Sequence, residues 1–244
     1  MADLTVISYH RDGDNGLEAW PDFALDTIAS GTLKQTGHTY LDNGVFTSGV
    51  WECTSGELIP GDYDVDEMMI VLDGAITIEH ESGASQTFTA GQAFVIPKGT
   101  PCQWIQTETT RKFWAIYDSP GELNSDFELE AMLLDPEAKL PSMGAQDPTV
   151  FESAPPEMGM LILHKDPTGK FIAGLWESTP MTRKPGIIER SELMHILKGS
   201  GSITNADGVV FNFKAGDTFM VPVGMGYQWE SHEYVKKIFC SFTP

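Results

Sequence analysis

Two glutamates could do chemistry, Glu67 and Glu192. Each lies in a run of methionine and aliphatic residues, EMMIVL and ELMHIL. There a carboxylate is costly unless it is paired or protonated. One reading is a structural ion pair, with the late lysines Lys112 and Lys237 or an arginine as partner. The other is a general acid or base in a cavity, its proton affinity raised by burial. Around them stand candidate ligand-binding residues: Tyr63, Cys102, Gln103, Trp51 and Trp104, then Tyr227, Gln228 and Trp229. The tryptophans suit core packing, or a cavity whose indole faces hold amines or planar ureides through cation–π contact or stacking. Cys102 could act as a nucleophile or a soft metal ligand, but a thiol with no nearby base stays protonated. Glu52 and Glu177, next to tryptophans, admit the same two readings as Glu67 and Glu192.

The histidines are less informative. His195 follows Glu192 by three positions on a strand, so the two side chains face opposite ways. His80, His164 and His232 fall at strand ends or turns and are expected at the surface. His10 and His38 precede the segment that repeats.

These residues recur because the chain repeats itself. Residues 44–117 and 169–242 align without a gap, and Trp51 and Trp176, Glu67 and Glu192, and Trp104 and Trp229 are each 125 positions apart. About 30% of the paired positions are identical, well above chance. Two spacings recur in both copies. One is Glu-x6-Gly, at Glu67–Gly74 and Glu192–Gly199. The other is Gly-x5-Pro-x-Gly, at Gly91–Pro97–Gly99 and Gly216–Pro222–Gly224. The first is a strand running into a glycine hairpin, and the second brings a strand back through a Pro-x-Gly turn.

The elements that must position these residues are strands. GVWECT, MMIVLDGAITIEH, QTFTAG, AFVIP, CQWIQT and KFWAIY are short, rich in β-branched and aromatic residues, and separated by Gly, Pro and Asp-Gly breaks. The second copy repeats the pattern. Many short strands at even spacing predict an all-β fold of two barrels. We divide the chain into an N-terminal barrel with its N-terminal arm (1–120), a linker (121–147) and a C-terminal barrel (148–244). Residues 124–139 are the best helix candidate, stopped by Pro136. Residues 1–40 are expected to lie across the outside of the first barrel or of a neighbouring subunit.

The bulk numbers narrow the function. The chain has 244 residues and a net charge of −20. A polyanion is repelled by phosphate backbones and anionic lipid, which argues against nucleic-acid or membrane partners. No basic region followed by an apolar run opens the chain, so no signal peptide is expected. Three cysteines without paired spacing fit a reducing cytoplasm.

The paired spacings resemble the two motifs of the cupin superfamily, so the resemblance implies two tandem cupin (jelly-roll) barrels, a bicupin. Gly-[Val/Leu]-Trp-Glu at 49–52 and 174–177, the Gln-Trp pairs and the late lysines resemble a narrower subgroup. It contains the (S)-ureidoglycine aminohydrolase-like and ethanolamine-utilisation cupins. Cupins of this kind commonly associate, which implies a homodimer. Metal-binding cupins place two histidines before the motif glutamate, where this chain has Gly61 and Tyr63, or Gly186 and Ile188. Their later histidine position holds Cys102 or Tyr227. No cofactor is therefore expected. Were a divalent ion (Mn, Zn, Fe or Ni) held, the resemblance implies Glu67 with Gln103, or Glu192 with Gln228.

Three functions remain open on this basis. The first is a bicupin binding a small, polar, nitrogen-containing metabolite, as an accessory to amine, amino-acid or ureide catabolism. The second is a metal-dependent hydrolase of ureidoglycine aminohydrolase type. The third is a metal-free acid–base isomerase or dehydratase using Glu67 or Glu192. The first barrel, more polar at the positions where the copies differ, is the preferred working site.

Overall fold

The computed structural model describes residues 4–120 and 129–244. It is built almost wholly of antiparallel strands, and the described residues contain no α-helix. They form two compact units. The N-terminal one comprises the described residues of His10–Asp135 together with Asp166–Thr168. The C-terminal one comprises those up to Tyr9, Pro136–Lys165 and Gly169–Pro244.

In the N-terminal unit two sheets enclose the core. The first runs, in spatial order, Met132–Leu133, Ala93–Ile96, Asp66–Asp73, Thr110–Tyr117, Phe46–Cys53, Gln35–Asp42 and Glu18–Ala19. The second runs Ser85–Thr89, Ala75–His80, Pro101–Gln106, Gly56–Leu58 and Ile28–Gly31, with Gly61–Asp62 also paired to Pro101–Gln106. Side chains alternate across each strand. One phase therefore turns Trp51, Cys53, Met69, Val71, Ile76, Ile78, Phe94, Ile96, Cys102 and Trp104 into a single buried cluster.

The C-terminal unit repeats this plan. One sheet runs Ile7–Ser8, Thr218–Val221, Ser191–Lys198, Val235–Phe242, Phe171–Ser178 and Met158–Lys165. The other runs Met181–Thr182, Gly226–Ser231, Ser200–Thr204 and Val210–Lys214, with Gly186–Ile187 at its side. Its core gathers Met194, Ile196, Ile203, Phe213, Phe219, Val221 and Trp229.

Two expectations need correction. The helix over 124–139 does not form in its described part, and residues 124–128 lie outside the described residues. Met132–Leu133 instead adds a strand to Ala93–Ile96, with Phe94 opposite Leu133 and Val95 opposite Met132. The open edge of that sheet satisfies backbone groups that a single turn before Pro136 would leave half paired. The N-terminal arm does not all stay with the first barrel. Ile7–Ser8 pairs with Thr218–Val221 in the C-terminal unit, whereas Glu18–Ala19 pairs with Gln35–Asp42 in the N-terminal one.

The Glu-x6-Gly spacing has a backbone cause. Gly74 and Gly199 turn their hairpins at φ of 72° and 84°. A Cβ there would lie 2.6 Å from the Thr109 carbonyl oxygen and 2.1 Å from that of Tyr234. Gly199→Ala is therefore expected to lower the unfolding free energy by about 1–3 kcal/mol. Gly186→Ala, whose Cβ would meet nothing within 4 Å, should change it by less than about 0.5 kcal/mol. Urea denaturation of the two variants checks this, and equal effects would contradict it.

Candidate functional site

The site of the N-terminal barrel is assembled by strand phase. Glu67, Met69 and Val71 share the inner face of Asp66–Asp73. Lys112, Trp114 and Ile116 share that of Thr110–Tyr117, where Lys112 stands opposite both Val71 and Trp51. The Lys112 side chain runs back along this face. Its Nζ donates to Glu67 Oε1 at 2.7 Å and lies 3.0 Å from Met69 Sδ. It stands 5.0 Å from the Trp51 ring centroid and 4.7 Å from that of Trp104. The two indoles meet edge to face at 87°, so the ammonium sits in an aromatic corner. The Tyr63 hydroxyl donates to the other oxygen, Glu67 Oε2. Burial pulls the Lys112 ammonium below its ordinary range, against the opposing pull of Glu67. Burial first, then Glu67, pushes the Tyr63 hydroxyl well above its own.

Tyr63 is aimed by its backbone. Its N–H donates to the Thr100 carbonyl, and its carbonyl accepts from Gly99 N–H, so the Pro-x-Gly turn clamps it. Ile188 is clamped the same way by Met225 and Gly224. The fold thus dictates the backbone at this position and leaves the side chain free.

The C-terminal barrel holds the same pair. Lys237 Nζ donates to Glu192 Oε1 at 2.6 Å, lies 3.2 Å from Met194 Sδ, and stands 4.9 and 5.3 Å from the Trp176 and Trp229 rings. The second oxygen differs. Glu192 Oε2 accepts from Arg190 Nε at 2.7 Å. Burial would raise the Glu192 carboxyl, but Lys237 and Arg190 outweigh it and hold it below its ordinary 4.5. Burial, then Glu192, pushes the Tyr227 hydroxyl up.

A cavity of about 490 Å³ opens beside the first pair. Its lining includes Tyr63, Glu67, Cys102, Lys112, Trp51 and Trp104, but also Trp20, Phe23, Gln35 and Trp114. Sequence reading missed these last four. Trp20, Phe23 and Gln35 come from the stretch without clear periodicity. Gln35 Oε1 accepts from Trp51 Nε1 at 2.9 Å. Trp114 shares the phase of Lys112, a signal that was available. Arg190 was also missed, although its i, i+2 spacing to Glu192 puts both on one face of an extended chain.

Other candidates do not join the site. Gln103 lies on the opposite face of its strand from Cys102 and Trp104, and its Nε2 donates to the Leu58 carbonyl at 3.0 Å. The amide within the core is Gln106, which accepts from Trp104 Nε1 at 2.8 Å. Gln228 is likewise out of phase with the buried Trp229. Glu52 and Glu177 point away from the aromatic corners, Glu52 to Arg111 and Glu177 to the Tyr234 hydroxyl. Cys102 does line the cavity, but burial, then Asp62, pushes its thiol up to about 11, so it is protonated at neutral pH. His195 Nδ1 lies 2.8 Å from Thr218 Oγ1, across the sheet from Glu192.

His80 corrects an expectation. It is buried rather than exposed, because it shares the inward phase of Ile76 and Ile78. It stands opposite Cys102 on the neighbouring strand and borders a second cavity of about 420 Å³.

The metal-holding sets implied by the resemblance are not brought together. Glu67 and Gln103 lie on opposite faces, and both oxygens of Glu67 already accept from protein donors. Glu192 is saturated in the same way by Lys237 and Arg190. Among the described residues no three of His, Cys, Asp and Glu gather to hold an ion. The donors present therefore do not fit a divalent metal; a lysine ammonium stands against each carboxylate instead.

Two outcomes follow from the pairs. Lys112→Met strands a buried carboxylate and is expected to cost about 3–5 kcal/mol. Lys237→Met should cost less, since Arg190 still holds Glu192; equal losses in urea denaturation would contradict this. The depressed Glu192 carboxyl adds stability that is whole above pH 4.5 and is lost as pH falls through its lower folded value. Acid titration of stability should therefore steepen below 4.5 in the native chain and flatten in Glu192→Gln.

Comparison with known proteins agrees with this architecture. Among curated proteins none matches. A protein of unknown function from Pseudomonas syringae pv. tomato str. DC3000 is similar in structure, with a TM-score of 0.79 at 22% identity, covering 98% of this chain and all of that one. A Cupin 2 conserved barrel domain protein from Leptotrichia buccalis gives 0.61 at 13% identity, covering 93% and 98%. Protein Ylba from E. coli gives 0.54 at 12%, covering 97% and 93%. At these identities the likeness is one of fold. The EutQ-like cupin domain matches residues 41–114 and again 165–239, well over half of the chain. With that domain present twice, and with two barrels in the fold, the chain belongs to the EutQ-like cupins and is a bicupin.

Proposed function

We propose that the N-terminal barrel binds a small molecule in its 490 Å³ cavity without a metal ion, with Tyr63, Glu67 and Lys112 forming the polar end. The observation that carries this is the opening of that charged set onto a cavity of ligand size, walled mostly by aromatic and aliphatic side chains. The C-terminal barrel keeps the same pair as framework, its second carboxylate oxygen closed by Arg190.

The ligand need not carry a positively charged nitrogen. The indole corner that suggested an amine is filled by the protein's own Lys112. The hydrolase reading draws no support from the donor set, since Glu67 and Gln103 do not share a face.

A second reading has one observation in its favour. The Tyr63 hydroxyl donates to Glu67 beside the cavity, and Ile188 offers no hydroxyl at the equivalent place. Such a pair could pass a proton between ligand and carboxylate, as an isomerase or dehydratase requires.

Titrating small neutral, acidic and basic metabolites against intrinsic tryptophan fluorescence tests the binding reading. Saturable responses are expected in the native chain and should vanish in Leu58→Trp, which fills the cavity. Responses unchanged by that substitution would refute it. Under the second reading, Glu67→Gln binds the same compounds but no longer exchanges their acidic protons with D2O.

A further inference from the structure

Trp114 packs in the core of the N-terminal barrel, but neither packing nor the ion pair accounts for its indole nitrogen. It is 6% exposed, lines the cavity, and its Nε1–H has no hydrogen-bond partner among the described residues. An indole N–H can only donate. Buried without an acceptor, such a group carries an uncompensated desolvation cost.

The fold does not require that nitrogen. At the corresponding register the C-terminal barrel carries Phe239, opposite Gly174 as Trp114 is opposite Gly49. In both barrels the glycine leaves room at the strand surface. A Cβ on Gly49 would come within 2.9 Å of the Trp114 ring. Other indoles find protein acceptors: Trp51 on Gln35, Trp104 on Gln106 and Trp229 on Ser231. Around the cavity, the Tyr63 hydroxyl is engaged by Glu67, the Lys112 ammonium by Glu67, and the Gln35 amide by Trp51 and the Pro21 carbonyl. The Trp114 N–H is a buried demand left unmet.

Charge restricts what can meet it. Lys112 already occupies the faces of Trp51 and Trp104 that would hold a ligand cation. A ligand anion would meet Glu67 and the exposed Asp62 and Asp64, against Lys112 alone. The walls ask for a flat, apolar body. Trp20 and Trp114 stand edge to face with centroids 6.1 Å apart, and Phe23, Leu33 and Leu58 complete the lining.

We infer that the cavity takes a neutral, flat, largely apolar molecule whose carbonyl-type oxygen accepts a hydrogen bond from Trp114 Nε1–H. This rests on reading the cavity as a small-molecule site.

Indole ¹H–¹⁵N NMR of the full chain tests it with four probes of one shape: acetophenone and benzamide, which are neutral carbonyl compounds, benzoate, and benzylamine. The chain has six tryptophans, and Trp176 and Trp229 in the other barrel serve as internal references. Trp114→Phe, a change the duplicate barrel already makes, assigns the signal and removes the donor. The neutral probes should shift the Trp114 signal saturably, bind several-fold more tightly than either ion, and bind Trp114→Phe roughly three- to tenfold more weakly. The wild-type shift tests the contact independently of the variant. If benzoate or benzylamine binds as tightly as the neutral probes, the assigned class is wrong while the cavity stands as a small-molecule site. The same holds if the neutral probes bind without moving Trp114 or bind Trp114→Phe equally. If no probe moves any indole of the N-terminal barrel, the inference and the reading of the cavity fail together.

Discussion

The architecture of both barrels depends on an ammonium held against a carboxylate in a corner of two indoles. Neither charge is tolerable alone at that depth. A buried lysine or glutamate without a partner would neutralise or unfold its surroundings, and the attraction between the two offsets desolvation only with good geometry. Geometry is supplied by the sheet. The strands Asp66–Asp73 and Thr110–Tyr117 lie side by side, so Lys112 reaches back past Met69 to Glu67. Trp51 and Trp104 then cover the ammonium with their faces, where a desolvated cation–π contact adds about 2 kcal/mol. The thioether of Met69 completes the shell.

Duplication turns this device into a comparison. Glutamate, lysine, methionine and both tryptophans are common to the copies, so they belong to the barrel. The second carboxylate oxygen is where the copies part. In one barrel it accepts from a tyrosine beside a cavity, and in the other from an arginine half exposed to solvent. Trp114 and Phe239 are a second such divergence. The N-terminal copy therefore carries polar groups that its framework does not need, and these stand around a space of ligand size.

Much of this was legible in the sequence. The repeat and its two glycine spacings gave the fold, because positive-φ hairpins and alternating strands leave a local signature. The Glu–Lys pairing followed from the rule that buried charges must meet. What escaped was set by tertiary neighbours. Gln103 drew attention through a motif, yet strand phase turns it away from Glu67 and makes Gln106 the interior amide. His80 looked terminal and exposed, although its phase with Ile76 and Ile78 turns it inward. Trp20 and Phe23 reach the cavity from outside regular strands, and Gln35 from the first position of a strand whose register shifts between Thr39 and Leu41, so no period marks them. The adopted strand Met132–Leu133 resembled a helix because only the waiting sheet edge distinguishes the two.

The lysine and glutamate of the N-terminal barrel act on each other and not separately on the fold. A double-mutant cycle measures this directly, using Glu67→Gln, Lys112→Met and the two combined, each followed by urea denaturation. A coupling energy of about 1.5–3 kcal/mol is expected, with the double variant more stable than the sum of the single losses implies. Additive losses would contradict it.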